Sequence, residues 1–208
     1  LPAGMGYLRA AGIFAGAGAE IAAALDKWQA AGKFGAILDL RGADGTAEGE
    51  IPAVAAKFAP AGAVLYSMDD RQGNELVSVK AGEVPAASLP LMVLVDGETS
   101  GAAELLAAVL GGGVNGAMVI GRETSGDPMI REPKKLSTGR YALLATRQLK
   151  TADGATYSGA NGVSPDVAIS DAALDETVYE PEAPVLRKGK TMTDEEKEAK
   201  ALRDRTRN

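Results

Sequence analysis

An α/β layered fold is what this sequence predicts, and three observations carry the expectation. Short apolar strand patterns alternate with helical patterns along the chain, the arrangement that pairs strands in parallel through right-handed crossovers. Small side chains dominate: 26 of the 208 residues are Gly, Ala is abundant, and only nine residues are aromatic, a composition suited to closely approaching backbones. With 46% hydrophobic residues, the chain can also bury one sizeable core without disulfides or metals.

The elements follow in order. Gly6 to Ile13 reads as a short, mainly apolar strand. After a Gly-rich turn, Ile21, Leu25 and Trp28 recur at i, i+4 and i+7, the buried face of a helix that Gly32 closes. Ala36 to Leu40 is short and apolar and runs into the Gly-rich loop Arg41 to Thr46, so it is expected as a fully buried strand. A helix from about Ile51 to Phe58 is stopped by Pro60. Ala63 to Met68 is the next strand, and Glu75 to Lys80 a further one within a polar, turn-rich stretch. Leu91 to Val95 leads through Asp96-Gly97-Glu98-Thr99-Ser100-Gly101 into a helix, Ala102 to Leu110, which is apolar on nearly every face and therefore expected to be buried. Ala117 to Ile120 returns as a strand. Beyond Gly121 the chain reads as irregular, with strands around Arg140 to Leu149 and Gly154 to Tyr157. From Asp171 it is polar and proline-bearing, with Pro181 and Pro184, and a capping box of Thr193 and Glu196 starts a charged helix to about Arg205. The expected organisation is a core over 1–170 and a C-terminal arm with a charged helix over 171–208.

Composition removes whole classes of chemistry. There is no cysteine and no histidine, which excludes Cys nucleophiles, Ser-His-Asp triads, His-based zinc sites and thiol redox centres. A nucleophile must be Ser or Thr, with Lys or a carboxylate as base. Net charge is −6, and the cations are scattered or gathered near the C-terminus, so no footprint for nucleic acid is visible. No apolar run approaches the ~20 residues of a membrane span. No cofactor is expected. Asp96, Glu104, Glu123 and Asp127 match no loop that folds around a cation, so no metal is expected either; these carboxylates are expected to be solvated or paired with Arg122 and Arg131.

Two strands end in Gly-rich turns, Arg41 to Thr46 and Glu98 to Ala103, and each turn would point backbone amides at one spot beside the sheet. Here the sequence becomes specific. Leu38-Asp39-Leu40-Arg41 with Gly45 resembles a Leu-Asp-Leu-Arg-x-Asn-x-Gly-Gly turn, with Ala43 at the Asn and Thr46 at the second Gly. Leu91 to Glu104 resembles a strand followed by a Thr-Ala-Ser-Ala-Ala-Glu helix start. Val119-Ile120-Gly121-Arg122-Glu123-Thr124-Ser125-Gly126-Asp127 is similar to a Val-Val-Gly-Glu-x-Thr-x-Gly-Lys turn, and Asn161-Gly162-Val163-Ser164-Pro165-Asp166-Val167 to a Gly-Ile-x-Pro-Asp-Val close. Together, in this order over roughly residues 6 to 170, these motifs resemble the catalytic core of the C-terminal processing (tail-specific) serine peptidases.

That resemblance implies a crotonase/Clp-protease-like core of strand-helix units. It implies peptide or protein C-terminal tails as partners and an exported location. Family members commonly carry a PDZ domain, and none is expected within these 208 residues. It also assigns roles. The nucleophile Ser, the base Lys and the Gln that orients the Lys correspond to Gly101, Asp127 and Arg131, while the backbone of Gly45 and Ala102 would face a developing oxyanion. Glycine has no side-chain oxygen, so an acyl-enzyme cannot form there, and an anionic Asp cannot stand in for a neutral lysine. The leading expectation is a catalytically inactive peptidase-like domain that keeps peptide or partner binding. An active serine endopeptidase with a relocated dyad, Ser100 with Lys134 or Lys135, is the alternative. A structural assembly module acting through the charged tail helix is another. Thr99 and Ser100 are also expected as helix N-caps, and Gly45 as a tight-turn glycine.

Overall fold

The computed structural model describes residues 4–70, 72–82, 89–112, 117–126, 129–156 and 162–169, within a compact unit that runs to residue 170. The expected C-terminal arm and charged helix, Asp127, and the strand end at Tyr157 lie outside the described residues.

The main sheet is parallel throughout. Its strands are β1 (Met5–Arg9), β3 (Gly35–Asp39), β7 (Leu91–Val95), β8 (Ala117–Gly121) and β11 (Val167–Ala168), in the order β1-β3-β7-β8-β11. β3 and β7 lie inside the sheet: Ala36, Leu38, Leu91 and Val93 on one face are buried, whereas Ile37, Met92 and Leu94 on the other are half-buried, so β3 is covered less completely than its short apolar run predicts. Helix α1 (Ala17–Ala30) buries Ile21 and Leu25 and packs Trp28 beside them, matching the i, i+4, i+7 pattern. Helix α3 (Gly101–Gly111) follows β7 directly. Every residue from Ala102 to Leu110 in it is buried, which is why the helix is apolar all round.

Three elements differ from expectation. The segment Gly6 to Ile13 is two strands rather than one: after β1, the chain leaves the main sheet, and β2 (Gly12–Ile13) pairs instead with β4 (Asp44–Gly45). The pairing of Ile13 with Gly45 seats the loop that follows β3. Helix α2 (Ile51–Ala55) is shorter than expected, since after it the amides of Lys57 and Phe58 reach carbonyls only three residues back, at Val54 and Ala55, and the last turn tightens. Finally, the chain is irregular as expected at residues 122–126, and β10 matches the strand expected around Arg140 to Leu149, but a further strand stands between them. Strand β9 (Met129–Lys135) pairs antiparallel with β10 (Tyr141–Thr151), which in turn pairs with β5 (Val64–Asp69), and β5 with β6 (Glu75–Lys80). This makes a second, antiparallel sheet of order β6-β5-β10-β9. The strand expected from Gly154 reduces, among the described residues, to an isolated bridge of Thr156 with Lys150 across a turn held by Thr151 and Asp153.

Candidate active site

The carboxyl ends of β3 and β7 open side by side, and two hydrogen-bond clusters fix the turns that leave them. At the end of β3, the buried carboxylate of Asp39 accepts from the Arg41 guanidinium at both oxygens (2.8 and 2.7 Å) and from the Tyr7 hydroxyl (2.8 Å). The Arg41 bonds are the main reason its carboxyl is held well below the ordinary range, at about 2, against the opposing effect of burial. The same contact raises the Tyr7 hydroxyl, whose proton is bonded to the carboxylate.

At the end of β7, Asp96 Oδ1 accepts from the backbone amides of Gly42 (3.0 Å) and Glu98 (3.1 Å). Burial pushes this carboxyl up, but the amides outweigh it and the group lies below its ordinary value. Thr99, fully buried, donates its hydroxyl to the Leu40 carbonyl (2.9 Å) and accepts from the Asp96 amide (3.1 Å). Thr99 therefore ties the two turns together and does not cap the helix. Ser100 does occupy the N-cap position of α3, with extended backbone, but its side chain makes no capping bond; its amide instead donates to the Ala43 carbonyl (2.9 Å).

Gly101 begins α3 at φ +55, in the left-handed region that favours glycine. It faces Gly45. An ideal Cβ on Gly101 would lie 2.4 Å from the Gly45 carbonyl oxygen and 3.4 Å from the Gly45 amide nitrogen. Gly45 itself stands in a strand bridge rather than a tight turn, at φ +150, where a Cβ would meet the Ile13 carbonyl oxygen at 2.4 Å. Close approach of two backbones, and not a turn, is what requires glycine here.

Gly45, Gly101 and Ala102 line one cleft of about 210 Å³, with Leu105 from α3, Arg131 from β9 and Leu143 from β10. Four residues singled out by the sequence thus share a site: Gly45, Gly101, Ala102 and Arg131. Ser100 is not among the lining residues. Glu104, expected to be solvated or paired with Arg122 or Arg131, is fully buried rather than solvated, and accepts from the Gly126 amide (2.7 Å), the Thr124 hydroxyl (2.5 Å) and the Ser125 hydroxyl (3.1 Å). Thr124 Oγ1 in turn accepts from the Val163 amide (2.7 Å), and the Ser125 amide donates to the Thr99 carbonyl (3.0 Å). The turn after β8 is therefore gripped by α3, by the turn after β7 and by the chain before β11. Nothing in the local sequence announces Glu104 as the centre of that grip, since its partners are twenty or more residues away. Among the described residues, no group of three or more carboxylates could hold a metal ion.

A parallel sheet whose strand ends meet a buried helix start in a cleft is an architecture on which backbone amides and a helix terminus can serve acyl chemistry. The chain belongs to peptidase family S41, whose family model matches residues 4–169. It is 33% identical over 147 residues to the carboxyl-terminal-processing protease of Synechocystis, a match covering 71% of this chain and 34% of that protein. It is 30% identical over 148 residues to the carboxy-terminal processing protease CtpA of Bacillus subtilis, covering 71% of this chain and 31% of that one. Among solved structures, the photosystem II D1 C-terminal processing protease superposes with a TM-score of 0.70 at 27% identity, over 80% of this chain and 42% of that chain. The chain spans about a third of the length of these curated relatives. It carries a C-terminal-processing-type peptidase domain with the mixed α/β fold of that family. Among the described residues, no helix is long and apolar enough to cross a membrane.

Proposed function

We propose that this domain does not hydrolyse peptides and instead retains the binding of peptide or protein tails in the cleft between Gly45, Gly101 and Arg131. The observation that carries this reading is the start of α3. The residue expected at the nucleophile position is Gly101, which lines the cleft, and the Gly45 carbonyl stands where a side chain there would begin. A covalent acyl-enzyme needs an oxygen or sulfur on the protein at that point. Main-chain groups at the cleft survive such a replacement and can still hold an extended segment. Asp127 and Arg131, the residues expected in place of the base and its orienting partner, complete the proposed loss. Arg131 offers a planar fork for a carboxylate. The relocated dyad draws less support, because Ser100 does not line the cleft.

The test pairs two measurements on the same protein. No turnover of unstructured proteins is expected, and no labelling by a serine-directed phosphonate. Titration calorimetry with extended apolar peptides should show micromolar-class binding, roughly −8 kcal/mol, weakened by Arg131→Ala more than by Ser100→Ala. Hydrolysis that disappears in Ser100→Ala would establish the relocated dyad instead. Absence of any bound peptide would leave the assembly-module reading. The exported location proposed with this function is checked by fractionating cells that express the chain.

A further inference from the structure

The second sheet carries an extension that the peptide-binding reading does not use. β10 pairs with β5 only from Gln148 to Thr151; from Tyr141 to Arg147 its one partner among the described residues is β9. The two therefore run beyond the sheet as a two-stranded ribbon, a structure of marginal stability when both faces are wet. Its register places Tyr141 opposite Lys135, Leu143 opposite Pro133 and Ala145 opposite Arg131, and directly opposed residues share a face. That face reaches the cleft through Leu143 and Arg131, and the neighbouring Ile130 lines the cleft as well. Tyr141 and Leu143 on it are 67% and 69% exposed.

Charge on this face has one sign. Of the strand residues that share it, Arg131 and Lys135 are the charged ones, in a chain of net charge −6. The ribbon's own carboxylate, Glu132, pairs with Leu144 on the opposite face, and Arg147 holds it at 2.8 Å. Glu48 lines the cleft and lies 3.7 Å from the same Arg147. Going outward from the cleft, β9 thus supplies cations at alternate same-face positions, Arg131 and then Lys135, while β10 supplies the apolar Leu143 and Tyr141 beside them. An extended segment laid along the ribbon meets cations on one side and apolar surface on the other.

We propose that this face of the ribbon is the outer half of the peptide site and selects extended segments that carry both apolar and acidic residues. The inference rests on the peptide-binding reading above. Its test uses three synthetic peptides that alternate Leu with Asp, Leu with Ser and Leu with Lys, with affinities read by fluorescence anisotropy on the full chain. The Leu-Asp peptide should bind about tenfold tighter than Leu-Ser at low salt, with Leu-Lys weakest, and the spread should narrow as salt rises. Lys135→Glu should narrow or invert that order, and Leu143→Ser should weaken the Leu-Asp peptide by about tenfold. Should Lys135→Glu fail to fold by circular dichroism, Lys135→Gln should still reduce the preference for Leu-Asp by about threefold. Equal affinities for all three peptides, unmoved by Lys135→Glu, would overturn the ribbon assignment while leaving the cleft reading intact. If none binds, both fall. If vesicles of anionic lipid bind through Lys135 and the peptides do not, the face is a membrane contact and the proposal is wrong.

Discussion

At the scale of single residues, the site turns on two glycines and a carboxylate. Gly101 and Gly45 face each other with no room for a methyl group on either. Gly101→Ala should therefore destabilise the domain by about 1–3 kcal/mol, from the left-handed backbone and the overlap combined, and denaturant titration measures it. Gly101→Ser meets the same obstacle, so restoring a hydroxyl should yield no hydrolysis unless the Gly45 strand retreats. Asp39 makes a pH prediction. Its carboxyl sits at about 2 when folded against an ordinary 3.8, so the stability it contributes is complete above about pH 4 and is lost as pH falls through about 2. Because Arg41 is half exposed, the contribution should be on the order of 1 kcal/mol. The stability difference between the native chain and Asp39→Asn, followed by denaturant titration, should shrink over that window.

At the scale of elements, Glu104 fastens α3 to the turn after β8. Glu104→Ala leaves the Gly126 amide and the Thr124 hydroxyl buried without their acceptor, and should cost about 2–4 kcal/mol. Limited proteolysis should then cut near residue 125 first, whereas Glu104→Gln, which keeps an acceptor, should be milder. The elements also show what the sequence could and could not reveal. Uninterrupted apolar runs made β3, β7 and α3 legible; the Gly-rich turns pointed to Gly45, Gly101 and Ala102, and the resemblance to the peptidase motifs added Arg131. The burial of Glu104 was not legible because solvation is the default for a carboxylate, and the turn that returns to it from twenty residues on helps make that burial tolerable. Thr99 was misread as a cap for the same reason: its acceptor, the Leu40 carbonyl, is remote in sequence. Strand β9 was missed because Pro133, Lys134 and Lys135 show no apolar alternation, which an exposed ribbon does not need.

At the scale of the whole molecule, the main sheet ends on a strand of two residues that does more than its length suggests. The Ile169 amide donates to the Gly121 carbonyl (2.7 Å), Asp166 accepts from the Val119 amide (2.7 Å), and Val163 donates to Thr124 (2.7 Å). A chain cut after residue 170 should keep its melting temperature within a few degrees, since the described core is complete by then. A cut after residue 160 should abolish cooperative melting or lower it by about 10 °C or more. Differential scanning calorimetry on the two truncations distinguishes them. The strand order carries a consequence in time. β1, β3, β7, β8 and β11 lie across the sheet in the order in which they leave the ribosome, so the sheet can grow from one edge to the other without waiting for a late strand to insert at its centre. The cleft is different. Its walls come from the β3 turn, from α3 and from the ribbon, and the turn beside them is latched only when Val163 has emerged, which makes the site one of the last parts of the domain to be born.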